Sequence, residues 1–256
     1  GMGNSAHIWT SGEVNWEHGW YRQIYYGYTT ISRDYTQKNS GQSVRCLADS
    51  GCLDPLAINY DASVLVDDGS CSYAPDYSGS DWYVDPDGSD ISGNGSSEYP
   101  FATIQKAFDV SADGDTINVG SGTYNENIAI SSDIEIANYF DPTIVTPSGL
   151  QYFETTLIVG ADENAPVMSI VGSADYLPAP EISGFSITQG QAEKGGGIYI
   201  EHANPSLSWM RVVRNRASEE GGGIYISHSD SSSLSYMLIS ENIAAADVIS
   251  RCFIPL

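Results

Sequence analysis

Short runs of alternating apolar and polar residues, separated by glycines and turn residues, make up most of the chain after residue 115. In Ile198, Tyr199 and Ile200 the apolar side chains recur with period two, and the same triplet returns at 224–226. Period-two alternation is the pattern of a β-strand with one buried face, and the 3.6-residue apolar stripe of a helix is missing here. Before the two repeats, strands are predicted at 116–119, 127–130, 134–137, 156–159, 167–171 and 182–187.

The two triplets belong to a longer repeat. The string Gly-Gly-Gly-Ile-Tyr-Ile at 195–200 recurs 26 residues later at 221–226, and Asn215 recurs 27 residues later as Asn242. A fixed period of this length with strand-type patterning indicates stacked coils of parallel strands, each burying its apolar side against its neighbours. The glycines suit a tight corner, and the asparagines suit successive steps of a ladder at a turn.

The repeat predicts which residues stack. Side chains at alternate strand positions point to opposite faces, and neighbouring strands lie about 4.8 Å apart. The expected stacks are Ile198 over Ile224 and Ile200 over Ile226 on the inside, with Tyr199 beside Tyr225 on the outside.

One helix is predicted ahead of the strands, at 103–111. Phe101, Ile104, Ala107 and Phe108 fall on one helical face, and Thr103 is suited to the N-cap. The open end of a stack of coils exposes its core and unpaired strand edges, so an amphipathic helix laid across that end would cover both.

Three phrases give this region a family resemblance: Trp-Tyr-Val-Asp at 82–85, Pro-Phe-Ala-Thr-Ile-Gln-Lys-Ala at 100–107, and Gly-Asp-Thr-Ile-Asn-Val at 114–119. Together they closely resemble the N-terminal cap of pectate-lyase-like, right-handed parallel β-helix proteins. The glycine-rich repeats resemble that family too, including surface adhesins of the polymorphic outer-membrane type. The resemblance implies an all-β chain in which 82–256 form a right-handed parallel β-helix of about five coils, C-terminally incomplete, with an N-terminal capping helix.

Residues 1–49 are rich in aromatic residues, which fit either a sugar-binding face or the core and hairpin surface of a small domain. The phrases at 7–13, 19–22 and 41–47 resemble the end of the Fibrobacter succinogenes major paralogous domain, a module of secreted bacterial proteins. Gln42 stands where that family has an aromatic residue, and Cys46 has no earlier cysteine to pair with. The resemblance implies a partial domain of mixed or β structure at 1–49.

Residues 50–74 resemble a cysteine-bounded, Asp-rich spacer found between modules of secreted bacterial surface proteins, and a linker follows at 75–81. The resemblance implies a disulfide between Cys52 and Cys71, which would stabilise this short segment by roughly 3 kcal/mol through the unfolded chain. The sequence does not indicate a disulfide partner for Cys46 or Cys252.

The spacer also holds a set of oxygen-bearing side chains. Oxygen ligands are those that Ca²⁺ prefers, but the same residues are typical of solvated turns, and neither their order nor the glycine position matches an EF-hand. Zinc is disfavoured here because the four cysteines lack a CxxC spacing and no histidine lies nearby in the sequence. The candidate calcium ligands are Asp54, Asn59, Asp61, Asp67 and Asp68.

The net charge of the chain limits the classes of molecule that it can bind. Ten Lys and Arg against 33 Asp and Glu give a net charge of −23, which disfavours nucleic acid and anionic membranes and leaves divalent cations or neutral glycans open. The acidity is explained equally well as a means of keeping the protein soluble.

The chain contains no run of 18 apolar residues, so no membrane span is predicted. Residues 251–256 break the repeat where a third glycine triplet is due, so we expect either a fragment of a longer protein or a frame error near Ala246. In both cases we expect an uncovered, fraying strand edge after about Asn242.

Two clusters could carry chemistry. Arg211, Arg214 and Arg216 are basic, but residues 27 positions later are not, so no catalytic groove and no catalytic residue is predicted. His202 and His228 are 26 residues apart, with Asp230 close by, and should stack on adjacent coils beside Glu201. They fit either a transition-metal site or simple surface stacking.

The modular context and the missing catalytic groove favour a secreted or cell-surface, non-catalytic β-helix that contacts glycans or other extracellular partners. Tyr199 and Tyr225 are the candidate glycan contacts. The alternative is a calcium-dependent polysaccharide lyase or glycosidase whose active coils lie outside this sequence.

Overall fold

The computed structural model describes residues 5–25, 31–40, 49–138, 155–245 and 251–254. The chain divides into two compact units, one of residues 1–53 and 61–70 and one of residues 54–60 and 71–256. Gln42 and Cys46 lie outside the described residues, as does the side chain of Cys252. The domain boundaries expected near residues 49, 74 and 81 stay predictions.

The first unit contains a three-stranded antiparallel sheet in the order β1-β2-β3. Tyr21 is buried, whereas Trp16 is 81% exposed and the guanidinium of Arg33 lies 4.0 Å above the ring of Trp20. The described aromatic residues of this unit are therefore divided between its core and its surface. Its elements are β1 (Ser5–Glu13), β2 (His18–Tyr25), β3 (Ile31–Gln37), the 3₁₀ turn Lys38–Ser40, and a parallel pair of β4 (Ser50–Gly51) with β5 (Val66–Asp67).

The second unit consists of short strands and one short α-helix, α1 (Ile104–Val110). The strands are β6 (Asp81–Val84), β7 (Thr116–Val119), β8 (Gly122–Asn125), β9 (Ile128–Ile130), β10 (Glu135–Asn138), β11 (Thr156–Val159), β12 (Met168–Val171), β13 (Glu181–Ser183), β14 (Ser186–Thr188), β15 (Gln191–Lys194), β16 (Ile198–Glu201), β17 (Ser206–Val213), β18 (Arg216–Glu220), β19 (Ile224–Ser227), β20 (Ser233–Ser240), β21 (Ile243–Ala244) and β22 (Arg251–Ile254).

These strands form three sheets in which nearly all neighbours are parallel. One sheet joins two series, β6-β7-β10-β13-β17 and β8-β11-β14-β17, through the long strand β17, and continues to β20. The second sheet runs β9-β12-β16-β19 and the third β15-β18-β21. The prediction of an all-β chain is confirmed, with parallel sheets and one short helix in the described residues.

The predicted register between the two repeats is confirmed. β16 and β19 are parallel, with Ile198 opposite Ile224 and Ile200 opposite Ile226. Ile198 and Ile200 are fully buried among the core isoleucines and Met168. Successive amides also pair along the glycine triplets, where the N–H of Ile198 donates to the carbonyl of Gly223 at 2.8 Å.

Ile226 does not follow the predicted burial, because 39% of it is exposed. Among the described residues β19 is the last strand of its sheet, so no described strand covers the inner face of Ile226. Ile224 is only partly buried but still packs against the core. Inward alternation is therefore retained on β19, while full burial requires the next strand of the stack.

The corners of the repeats are turned by residues with positive φ. Gly195 and Gly221 have φ of 61° and 64°, the left-handed region that glycine adopts without steric cost. Pairs of non-glycine residues also occupy this region at equivalent positions of the two repeats, so equivalent side chains leave the backbone in the same direction and can stack. These pairs are His202 with His228, Trp209 with Tyr236, and Arg214 with Glu241.

The predicted asparagine ladder is present. The side chain of Asn215 is buried, and the Oδ1 atom of Asn242 accepts hydrogen bonds from the backbone N–H and the Nδ2 of Asn215, at 2.9 and 3.1 Å. The Nδ2 of Asn242 donates to the carbonyl of Val212 at 2.8 Å. Each amide therefore supplies backbone groups at a bend with the partners that β-pairing cannot provide.

The predicted helix at 103–111 is confirmed, with α1 capped by Thr103, whose Oγ1 accepts from the N–H of Lys106 at 3.2 Å. Ile104 and Ala107 are buried in the core cluster. A second cap was not predicted: the carboxylate of Glu126 accepts from the N–H groups of Ile104 and Gln105 at 2.9 and 3.0 Å. Burial raises the pKa of Glu126, although these two hydrogen bonds oppose the shift.

This carboxylate makes a pH-dependent contribution to stability. The pKa of Glu126 is higher in the folded state than in the unfolded state. The free energy of unfolding is therefore highest below the ordinary glutamate pKa, where Glu126 is protonated in both states, and it falls as pH rises through the folded pKa. We expect Glu126→Gln to flatten the pH dependence in that interval and to cost about 2 kcal/mol at low pH, since one buried N–H loses its acceptor. Urea unfolding from pH 4 to 8 measures both. Glu135→Gln, an exposed carboxylate on β10, is the control and should change neither.

Two further expectations need correction. The single strand predicted at 182–187 is two strands, β13 and β14, because Gly184 breaks the run with a φ of 89°. The edge expected to be uncovered beyond Asn242 is covered in part, since β22 pairs antiparallel with β20 over 237–240.

Cys52 and Cys71 form the predicted disulfide. No helix of the described residues is long and apolar enough to cross a membrane.

Candidate functional site

A shallow groove follows strand β15 on the surface of the second unit. It consists of three adjoining depressions that share lining residues, among them Gln191, Glu163 and Glu193. One wall is the loop at 160–166, and the other is formed by the residues around Arg216 on β18. We call this feature the β15 groove.

The loop wall is held in place by Asn127. Its Oδ1 accepts from the N–H groups of Ala161 and Asp162, and its Nδ2 donates to the carbonyls of Ala165 and Pro166. Ala165 also forms an isolated antiparallel bridge with Gln191 at the groove floor. One half-buried amide therefore orders an exposed loop and gives the groove a fixed wall.

The charges in the groove are balanced, unlike those of the whole chain. Arg214 forms an ion pair with Glu241, with 2.8 Å between Nε and Oε2. Both side chains are largely exposed, so the pair contributes little to stability. Three basic and three acidic side chains line the groove, namely Lys194, Arg214, Arg216, Glu163, Glu193 and Glu241.

Tyr199 lines one end of the groove and stacks on Tyr225, as predicted. Their ring centroids lie 5.4 Å apart with an interplanar angle of 13°. The ammonium group of Lys194 lies 5.1 Å from the centre of the Tyr225 ring. The result is an aromatic surface two residues wide at the mouth of a polar groove.

The hydroxyl of Tyr199 donates to Oε2 of Glu201 at 2.7 Å. Burial, followed by this hydrogen bond and the charge of Glu201, raises the pKa of Tyr199 to about 12. The phenol therefore keeps its proton throughout the neutral range and orients the carboxylate of Glu201.

His202 and His228 are brought together as the repeat predicts. Their rings stack with centroids 4.4 Å apart and an interplanar angle of 18°. The Nδ1 of His228 lies 3.8 Å from Oε1 of Glu201. One ligand-type atom from each of these three residues lies within 4.8 Å of the other two, the one such group of three among the described residues.

Asp230 does not belong to that group. Its backbone N–H donates to Oδ1 of Asn204 at 3.1 Å, as does that of Ser231, so Asn204 orders the turn after His228. The carboxylate that completes the group is Glu201, whose position at the end of β16 follows from the same repeat.

The five candidate calcium ligands each accept hydrogen bonds in the spacer. Asp54 accepts from Leu56 N–H and Tyr73 Oη, Asp61 from Ser63, Asp67 from Gly69 N–H, Asp68 from Ser70 N–H, and Asn59 from Ser72 N–H. Bonds of this kind lower the pKa of Asp54, Asp61 and Asp68. Calcium stays a prediction for these residues.

A second aromatic stack was not predicted as a surface feature. The rings of Trp209 and Tyr236 lie 4.0 Å apart with an interplanar angle of 8°, and Trp209 is 39% exposed. The signal was present in the recurrence of an aromatic residue 27 positions later, between a serine and a methionine. Neither residue lines the β15 groove.

Part of the second unit matches a known protein family. Residues 87–138 match the model of a family described as a protein of unknown function, DUF1565. The matched segment contains α1 and strands β7 to β10. No curated protein and no solved structure matches the chain.

Proposed function

We propose that the second unit is a right-handed parallel β-helix of a secreted or cell-surface protein, and that it binds glycans without cleaving them through the β15 groove. The parallel sheets, the confirmed repeat register and the capping helix support the β-helix. The matched family, which is β-helix-like, supports it as well. The disulfide supports an oxidising, extracellular setting.

The observation that carries the binding proposal is the Tyr199–Tyr225 stack at the end of the groove. Aromatic faces pack against the apolar C–H faces of sugar rings, and a tyrosine held by stacking loses little conformational entropy when a ligand binds. The groove adds side-chain amide and charged groups able to pair with sugar hydroxyls, such as those of Gln189, Gln191 and Asn164.

Charge selects the class of glycan. A chain of net charge −23 repels polyanions at long range, whereas the balanced groove carries no excess of either sign. We therefore propose neutral polysaccharides as the ligands, in preference to polyuronates.

We expect the protein to bind at least one member of a panel of immobilised neutral polysaccharides, and Tyr199→Ala/Tyr225→Ala to weaken that binding at least tenfold. Each aromatic contact with a sugar ring contributes about 1 kcal/mol to the binding free energy, so the loss of both weakens binding by more than tenfold. Both tyrosines face outward, so the folded state should survive, which circular dichroism checks.

Trp209→Ala/Tyr236→Ala is the matched control, because it removes an aromatic stack outside the groove. Equal loss of binding in both double variants would contradict the assignment to the groove. Release of unsaturated or reducing sugar ends from any polysaccharide would favour the calcium-dependent lyase or glycosidase instead.

A further inference from the structure

Beyond glycan binding, we infer that Glu201, His202 and His228 form a site for a divalent transition metal of the Zn²⁺ class. The three ligands do not line the β15 groove, but Tyr199, which lines the groove, contacts Glu201. The inference rests on the ligand types, on the short distances between the ligand atoms, and on the hydrogen bond that orients the carboxylate.

The ligand type is suitable. Two imidazoles and one carboxylate form the donor set that Zn²⁺ takes in sites with three protein ligands and one open position. Borderline metals such as Co²⁺ and Ni²⁺ accept the same donors, whereas Ca²⁺ and Mg²⁺ prefer oxygen alone.

The backbone places the side chains of His202 and His228 next to each other. His202 and His228 follow the parallel strands β16 and β19, and both have φ of 50°. This conformation is rare for a residue with a side chain, and its recurrence at equivalent corners makes the two imidazoles leave the chain in the same direction. The ring centroids lie 4.4 Å apart with nearly parallel planes, so one ring must turn about its χ2 bond to aim both nitrogens at one ion, while the backbone already sets the short distance between the ligand atoms.

A hydrogen bond from Tyr199 orients the carboxylate of Glu201. Oε2 of Glu201 accepts the hydroxyl of Tyr199, and Oε1 is the oxygen that faces Nδ1 of His228 at 3.8 Å. Hydrogen bonds of this kind to a ligating carboxylate fix its geometry and commonly change metal affinity tenfold to a hundredfold. Tyr199 is therefore a positioning residue of the site.

Titration of the whole, chelator-treated protein with ZnCl₂ by isothermal calorimetry tests the site. We expect one Zn²⁺ per chain, with affinity reduced at least tenfold in His202→Asn and in His228→Asn and by a smaller factor in Tyr199→Phe. Asparagine is chosen because it tolerates positive φ, so these variants should remain folded. Co²⁺ gives an independent readout, because a tetrahedral site absorbs strongly in the visible range.

His18→Ala is the matched control. His18 lies on β2 in the first unit, where its ring nitrogen contacts Asn15, so its removal should leave Zn²⁺ binding unchanged. The inference is overturned if the wild-type protein takes up no Zn²⁺, if His202→Asn and His228→Asn bind it as tightly as wild type, or if His18→Ala causes an equal loss. Glycan binding is measured separately, so failure of one proposal leaves the other testable.

Discussion

Ile200→Asp is expected to destabilise the second unit by about 5 kcal/mol, enough to unfold it or the repeats around it. Ile200 is fully buried between Ile170 on β12 and Ile226 on β19. An aspartate there loses the packing of an isoleucine and places a carboxylate in an apolar stack that offers it no described partner. Urea unfolding monitored by circular dichroism measures the change.

The matched control is the same substitution one repeat further along the chain. Ile226 occupies the register position opposite Ile200 but is 39% exposed, so an aspartate at 226 can reach water. We expect Ile226→Asp to cost about 1 kcal/mol. Ile200→Val, which removes one methyl group and should also cost about 1 kcal/mol, provides a measurable variant if Ile200→Asp does not fold.

This comparison tests the register as well as the burial. A slip of one residue would exchange the two faces of β16, and Tyr199 would then be the buried position. In that case Tyr199→Asp would be the severe substitution and Ile200→Asp the mild one. That outcome, or equal effects at 200 and 226, would contradict the stacking described here.

Local periodicity explains why so much of the register could be predicted. The spacing of 26 or 27 residues between equivalent positions restricts which strands can be neighbours, and period-two alternation then gives the inward face. Ile198 opposite Ile224 and Asn215 beside Asn242 both follow from those two rules. The helix at 103–111 could be predicted from the sequence for a similar reason, because its N-cap residue and its apolar face are local features.

Features that depend on distant contacts or on the end of a stack were not predictable. Glu126 caps α1 from 22 residues away, and no pattern near either residue points to the other. Ile226 is exposed because no strand in the described part of the chain pairs with the far side of β19, although its own sequence is that of a buried strand.

The candidate sites divide in the same way. Stacking of His202 on His228 and of Tyr199 on Tyr225 followed from the period. The β15 groove did not, because its wall is the loop at 160–166, which the amide of Asn127 holds from more than 30 residues away in sequence. Repeats in a sequence therefore reveal what stacks along the sheets, while insertions between strands decide where a ligand can bind.

Asn215→Leu is expected to cost about 4 kcal/mol, although leucine has nearly the same shape. The Oδ1 of Asn215 accepts from the N–H of Gly190 at 2.9 Å, and its Nδ2 donates to the carbonyl of Ile187 at 3.1 Å. Asn215 is only 1% exposed, so water cannot replace the lost amide. The buried N–H of Gly190 would then lose its side-chain acceptor and the carbonyl of Ile187 its amide donor, at about 2 kcal/mol each.

Asn204→Ala is the matched control, because Asn204 also orders a turn of the next repeat through its Oδ1. It is only half-buried, so water can reach the freed N–H groups and the expected cost is about 1 kcal/mol. Urea unfolding compares the two, and hydrogen exchange at the Gly190 amide reports the bond directly: it should accelerate in Asn215→Leu and not in Asn204→Ala. Unchanged exchange at Gly190 in Asn215→Leu would show that the ladder does not hold this corner.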